Sequence, residues 1–361
     1  LQARDLVPYY SKSFILKISP CGKYIPFLVR WHIVMKILIV GGSGFLGHHT
    51  ANLLISEGHE VTVMVPDTSK TELLDANKIR LVSGDVTDAR QLEKLIIGYD
   101  AVVNMAGIVS YWRKQNDLMF KVNHQGAKNV ALACLKNKIK KLIHISSTVT
   151  IGYNEDHTPA DENTVYNLAK LNVAYCDSKY FGEQEVLKAV TLGLDATILC
   201  PASMHGDGDI RRITTDSLFK FSFPYNVFYP QNGQSVVDVK DVALAISLAI
   251  KKGKKGQRYI ICSENISYYH LKKIIAQEIG AQAPFLPLPE FILWIMTAAN
   301  DLLKRATGTR PKMTLDMVKF HGIKFYFNNK KSIEELGLVY TPIREAIRRG
   351  VKWYKENGYL K

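Results

Sequence analysis

Tyr175-Cys-Asp-Ser-Lys179 sets a phenol and an ammonium four residues apart. On a helix, residues i and i+4 share a face, so Lys179 lies beside the Tyr175 hydroxyl. A neighbouring ammonium favours phenolate and lowers the tyrosine's pKa. The phenol then serves as general acid or base near neutral pH. Ser147 follows directly on the apolar run 141–145 and can donate a hydrogen bond to a substrate oxygen. Alone, the helix pair is an ordinary solvated face, and Ser146-Ser147-Thr148 is an ordinary polar turn. A nucleotide fingerprint upstream turns the three into a proton-transfer site.

That fingerprint is Lys36-Ile-Leu-Ile-Val40 running into Gly41-Gly42-Ser43-Gly44-Phe45-Leu46-Gly47. A β-branched run stops at a cluster of glycines, and an apolar-patterned helix runs from Phe45 to Glu57, with Gly58 as its stop. Such a turn needs a positive φ and a backbone that approaches a pyrophosphate closely. The helix N-terminus then aims its free N–H groups at the phosphates. Two overlapping glycine spacings, from Gly41 and from Gly42, both end at Gly47 and fit dinucleotide binding.

The elements that must position these groups alternate. Strands are expected at 36–40, 61–65, 79–83, 101–104, 141–145, 195–199 and 258–262, and helices at 45–57, 89–97, 117–136, 176–192 and 240–252. This is an α/β chain: a Rossmann-type doubly wound parallel sheet with a smaller C-terminal substrate lobe. The nucleotide-binding domain is expected over 35–200, with strand 258–262 contributed later, and the lobe over 201–257 and 263–361. Residues 1–34 lack clean periodicity and read as an upstream extension, either a mis-set start or a targeting piece.

The 361 residues carry a net charge of +14. The lysine clusters 136–141 and 251–255 lack interleaved aromatics and read as solvated surface, not as a nucleic-acid stripe. The cysteines Cys21, Cys134, Cys176, Cys200 and Cys262 form no C-x-x-C pair. No metal site is expected, and reduced thiols fit a cytoplasmic location. No apolar stretch is long enough for an integral membrane segment. The nearest, 291–299, reads as a buried or lid helix, with contact to a membrane surface as the alternative.

Beyond these readings, the chain resembles the extended short-chain dehydrogenase/reductases, the NAD-dependent epimerase/dehydratase superfamily. The resemblance runs from Met35 to the C-terminus. Its motifs are Gly41-x-x-Gly44-Phe45-Leu46-Gly47, Gly84-Asp85-Val86-Thr-Asp88, Asn104-Met-Ala106-Gly107, Val122-Asn123-x-x-Gly126, Ser146-Ser147, Tyr175-x-x-x-Lys179, Pro201-Ala202 and Val237-Asp-Val-Lys-Asp241. The resemblance implies Tyr175 as acid/base, Lys179 on the nicotinamide ribose, Ser147 polarising the carbonyl and Asn123 holding a water or backbone element of the proton relay. It puts Asp85 and Val86 against the adenine, Ala106 and Gly107 close to the cofactor, and Pro201 and Ala202 beside the nicotinamide.

The C-terminal half is similar to the dihydroflavonol-reductase-like and 3β-hydroxysteroid-dehydrogenase-like branch, through Thr307-Gly-Thr-Arg-Pro311 and the ending Trp353-Tyr-Lys-Glu-Asn-Gly-Tyr359-Leu. Gln234 stands where sugar-nucleotide epimerases place an arginine. The segment 147–151 lacks the carboxylates that 4,6-dehydratases need. After the second strand, Val65 and Pro66 cannot choose between NAD and NADP. Asp67 would select NAD and Lys70 NADP, and the reductase-like branch tips the expectation to NADP. The leading expectation is an NAD(P)-dependent oxidoreductase acting on a ketone or secondary alcohol of a small, partly apolar molecule. The alternatives are a nucleotide-sugar epimerase with tightly held NAD and a non-catalytic NAD(P)-binding sensor. Helices 117–136 and 176–192 are candidates for pairing a homodimer.

Overall fold

The computed structural model describes residues 34–66, 71–75, 77–210, 227–307 and 314–360. Nearly all of the 1–34 extension, Asp67, Lys70 and most of the 307–313 motif lie outside the described residues.

Strands β1 (Lys36–Val40), β2 (Glu60–Val65), β3 (Arg80–Ser83), β4 (Ala101–Asn104), β5 (Lys141–Ile145) and β6 (Ala196–Pro201) form one parallel sheet with the later strand Arg258–Ile261. Its order is Arg258–Ile261, β6, β5, β4, β1, β2, β3. The central strands are buried on both faces. This is why they read as unbroken apolar runs and not as alternating patterns: Ile37, Leu38, Ile39 and Val40 are fully buried, as are Val102 and Val103. Helix α1 (Phe45–Ser56) packs with Val239–Lys252. Helix α4 (Ala127–Lys136) packs between α2 (Ala89–Leu95) and α5 (Ala174–Thr191), and α3 (Asn116–Met119) packs on α5. The result is a seven-stranded Rossmann-type α/β fold.

The stretch expected as one helix over 117–136 is broken into three. Between α3 and α4 lies a π-helical segment, Phe120–Gly126, a wider turn that proteins keep mostly at functional sites. It ends at Gly126, where a β-carbon would stand 2.8 Å from Cγ2 of Val86.

Short strands outside the main sheet build a second layer. Gly233–Asp238 pairs antiparallel with Glu264–Ser267 and parallel with Lys324–Phe325 and Ser203–His205. Phe228–Tyr229 pairs with Leu286–Pro287. Helices Tyr268–Ile279 and Ile343–Glu356 close a separate core of Leu271, Ile275, Ile343, Ile347 and Tyr354. No helix of the described residues is long and apolar enough to cross a membrane.

Candidate active site

β1 and β4 are neighbours whose chains leave in opposite directions, so their carboxyl ends open a crevice. Gly41 follows β1 with φ +82°, and a β-carbon there would lie 2.6 Å from Ala106 Cα, beyond the end of β4. The two loops therefore touch. A β-carbon on Gly47 would meet the Gly42 carbonyl oxygen at 2.0 Å, so α1 starts hard against the turn. Gly44 differs: a β-carbon there would have no atom within 4 Å.

The open face at Gly44 sits at the N-terminus of α1, which carries no acidic residue in its first turn. The first N–H groups of a helix have no intrahelical acceptor, and no side chain caps this end of α1. Phe45 is half-buried, and the Leu46 side chain belongs to the core, which leaves Leu46 only its backbone to offer.

The other residues of the expected cofactor set sit at the same edge. Asp85 follows β3, and its Oδ1 accepts the Thr87 N–H at 2.8 Å. Val86 is buried, and its carbonyl accepts from Asn129 Nδ2 at 2.9 Å. Pro201 ends β6, and the Ala202 N–H donates to the Ile261 carbonyl at 3.0 Å. Glycines crowded where two loops meet, and open where a helix begins, suit a bound dinucleotide diphosphate. Asp67, the remaining member of the set, is outside the described residues.

The candidate proton-transfer groups lie beside this cradle. Lys179 Nζ donates to the Ile145 carbonyl at 2.8 Å. A β-carbon on Gly107 would stand 3.8 Å from the same Nζ, so the ammonium lies between the end of β5 and the loop after β4. The Ser147 hydroxyl lies close enough to the Tyr175 phenol to draw its pKa down. Ser147 opens the turn Thr148–Thr150, its Oγ accepting the Val149 N–H at 3.4 Å.

Electrostatically the pair departs from expectation. Burial pushes the Tyr175 phenol up to about 12, opposed by the neighbouring Ser147 hydroxyl. Burial pulls Lys179 down to about 8, opposed by the Glu183 carboxylate. Desolvation outweighs the proximity that the i, i+4 spacing predicts, because the phenol is almost wholly enclosed. At pH 7 Tyr175 is a neutral donor and Lys179 a cation.

Asn123 sits in the π segment with its amide fully engaged. Oδ1 accepts the Ile108 N–H at 2.8 Å, while Nδ2 donates to the Ile108 carbonyl at 2.9 Å and to Ser178 Oγ at 3.1 Å. Its bonds are to another segment's backbone and to α5, and they tie the loop after β4 to that helix. A β-carbon on Gly182 of α5 would lie 2.1 Å from the Asn123 carbonyl oxygen, so the π segment and α5 touch backbone to backbone.

Sequence reasoning missed an aromatic wall. The Tyr111 ring lies 5.7 Å from Tyr175 and 5.8 Å from Phe320, and Phe320 lies 5.6 Å from Phe325. Tyr153 closes on Phe325 at 5.9 Å. The rings meet edge to face, the favoured geometry for aromatic pairs. They come from chain segments far apart, and no local pattern joins them. Nearby, Gln234 Oε1 accepts a hydrogen bond from the Tyr268 hydroxyl at 3.0 Å.

The sequence model described as the NAD dependent epimerase/dehydratase family matches residues 37–262. The chain belongs to this family. It is similar to a protein of Synechocystis sp. named putative dihydroflavonol 4-reductase, 30% identical over 90% of this chain and 95% of the relative. The crystal structure of gox2253 superposes with a TM-score of 0.79 at 29% identity, covering 90% of this chain and 99% of that one. The Bordetella bronchiseptica enzyme WbmH, solved in complex with NAD+, superposes with a TM-score of 0.70 at 21% identity over 90% and 99% of the two chains, a likeness of fold.

Among the described residues no group of histidine, cysteine and carboxylate side chains is arranged to hold a metal ion. The four described cysteines, Cys134, Cys176, Cys200 and Cys262, are free and buried.

Proposed function

We propose that this family member is an NAD(P)-dependent reductase or dehydrogenase that moves a hydride between the nicotinamide and a ketone or secondary alcohol of a small, largely apolar molecule. The observation that carries the reading is the meeting of Tyr175, Ser147 and Lys179 at the carboxyl edge beside the glycine cradle, under the Tyr111–Phe320–Phe325–Tyr153 wall.

The cofactor, when bound, supplies or accepts the hydride. Gly41, Gly44, Gly47 and the first N–H groups of α1 would hold its diphosphate. Asp85 and Val86 would border its adenine, and Ala106, Gly107, Pro201 and Ala202 its nicotinamide end. In the reductive direction Ser147 and Tyr175 both donate hydrogen bonds to the substrate carbonyl oxygen. As negative charge develops there, the Tyr175 Oη–H bond breaks and its proton forms the product hydroxyl. The Lys179 ammonium stabilises the phenolate left behind. Asn123 positions the loop that carries Ala106 and Gly107. The oxidative direction reverses each transfer.

The aromatic wall supports an apolar, flat substrate. Gln234, already bonded to Tyr268, replaces the cation that would grip a sugar-nucleotide diphosphate. NADP is the proposed cofactor, on the similarity to the dihydroflavonol-reductase-like branch. A homodimer through α4 and α5 belongs to the same proposal.

Fluorescence titration with NADH and NADPH separately tests the cofactor choice. Turnover on a panel of planar ketones tests the reaction, with one cofactor consumed per carbonyl reduced. Tyr175→Phe should bind cofactor as the wild type does and lose turnover on the order of a thousandfold. Full turnover in that variant overturns the mechanism, and product formation without net cofactor change points to epimerisation.

A further inference from the structure

Behind the proton-transfer groups lies a charge that the mechanism does not use. Glu183, one turn beyond Lys179 on α5, is fully buried. Its Oε2 accepts hydrogen bonds from Ser146 Oγ and from Thr150 Oγ1, the latter at 2.7 Å. Its Oε1 is ion-paired with Arg258 Nε at 2.9 Å. Arg258 comes from the edge strand of the main sheet and also donates to the Thr150 carbonyl at 3.0 Å and to the Glu162 carbonyl at 3.2 Å. Thr150 Oγ1 in turn donates to the Ser147 carbonyl at 2.8 Å.

We propose that Glu183 is a positioning residue: it holds Lys179 as an ammonium and, through Ser146 and Thr150, clamps the turn that presents Ser147, with Arg258 as its counter-ion.

The geometry argues for this in two steps. Residues i and i+4 of a helix stand roughly 5–6 Å apart at their β-carbons, so Lys179 and Glu183 share a face of α5, and both are buried where charges are weakly screened. Burial favours the neutral amine, and Glu183 is the leading group that opposes it. Secondly, the carboxylate grips the residues on either side of Ser147, so one anion serves two of the three groups. A buried ion pair is a poor device for stability alone, since apolar replacements often match it.

The other titratable groups packed around Lys179 do not replace Glu183. On α5 the Tyr175 phenol is held neutral by burial. On β5 His144 is held neutral, its pKa pulled to about 3. On β6 the Cys200 thiol is pushed up to about 12. Arg258, with Glu162 beyond it, faces Glu183.

The test reads Lys179 directly and needs neither substrate nor turnover. It rests on the proton-transfer reading of the site, yet its failure is distinguishable from the failure of that reading. The intact protein is trace-labelled with acetic anhydride across pH, and the Lys179 peptide is quantified by mass spectrometry. Glu183→Gln should lower the Lys179 midpoint by on the order of one pH unit, and Glu183→Asp should restore most of it. The double variant Glu183→Gln/Arg258→Met, which leaves no unpaired buried charge, should also show the lowered midpoint and is read if the single variant does not fold. An unchanged midpoint in the folded variant overturns the proposal. So does a midpoint lowered equally by Glu183→Asp, which would make packing and not charge the cause. If neither variant folds, Glu183 is a fold determinant and the proposal falls.

Discussion

Lys179 Nζ and the carbonyl oxygen of Ile145 are 2.8 Å apart, which fastens α5 to the last residue of β5. The ammonium is held at the point where the sheet ends and Ser147 begins. That contact fixes its place but does not repay its desolvation, and the amine is drawn down to about 8.

Stability should carry the mark of that buried cation. Below pH 8 both folded and unfolded chains hold the Lys179 proton and the folded state bears the whole burial cost. Between about 8 and the ordinary 10.5 the unfolded chain binds more protons, so stability rises with pH. The gain is on the order of 3 kcal/mol. Urea titrations at pH 7.5 and pH 10 should show it in the wild type, with that component missing in Lys179→Met. Parallel pH profiles for the two proteins would contradict the assignment.

The glycines of the cradle should divide into two kinds. Gly47→Ala forces a β-carbon onto the Gly42 carbonyl and should cost about 3 kcal/mol or more of stability. Gly44→Ala meets open space at φ −89° and should leave the melting temperature nearly unchanged. Its methyl group would occupy the approach to the helix N-terminus, so NADH or NADPH affinity should drop about tenfold or more, at least 1.4 kcal/mol. Calorimetry and fluorescence titration separate the two effects.

Asn123→Ala leaves the Ile108 N–H and carbonyl without partners and frees Ser178 Oγ of one donor. The variant should lose about 2 kcal/mol by urea unfolding. Cofactor affinity should fall with it, because the loop through Gly107 is no longer tied to α5. A relay role alone would lower turnover and leave both of these untouched.

Tyr111→Ala opens the wall over Tyr175. For a flat apolar ketone KM should rise about tenfold, in line with the roughly 1.5–3 kcal/mol that burying an aromatic side chain contributes. Cofactor affinity should stay as it was. A KM unchanged across the panel would show that the substrate does not touch this wall.

How much of this the sequence disclosed depends on locality. The seven sheet strands are legible because each is a short apolar run bounded by turn residues, as with Lys36–Val40 ahead of Gly41. Tyr175 and Lys179 are legible because one helical turn joins them. The smaller sheet is not. Lys324–Phe325 and Ser203–His205 are two and three residues long and acquire meaning only by pairing with Gly233–Asp238. The π segment is hidden because its residues carry a helical pattern, and the Asn123 bonds to Ile108 join parts of the chain that no local pattern links. The direction of the Tyr175 shift was misread because spacing reports which charges are near, not how much water is excluded. Glu183 offered a signal, an acid one turn after Lys179 on the same face; Arg258 offered none before the sheet order was in hand.

Gly182 leaves no gap between α5 and the π segment. Tyr175 and Lys179 ride on the same rod that this glycine seats. Anything that lifts the rod shifts both groups by one common displacement. Their mutual alignment is thereby insulated from local damage, and what remains vulnerable is the aim of the pair, which one methyl group far from either reactive atom is enough to spoil.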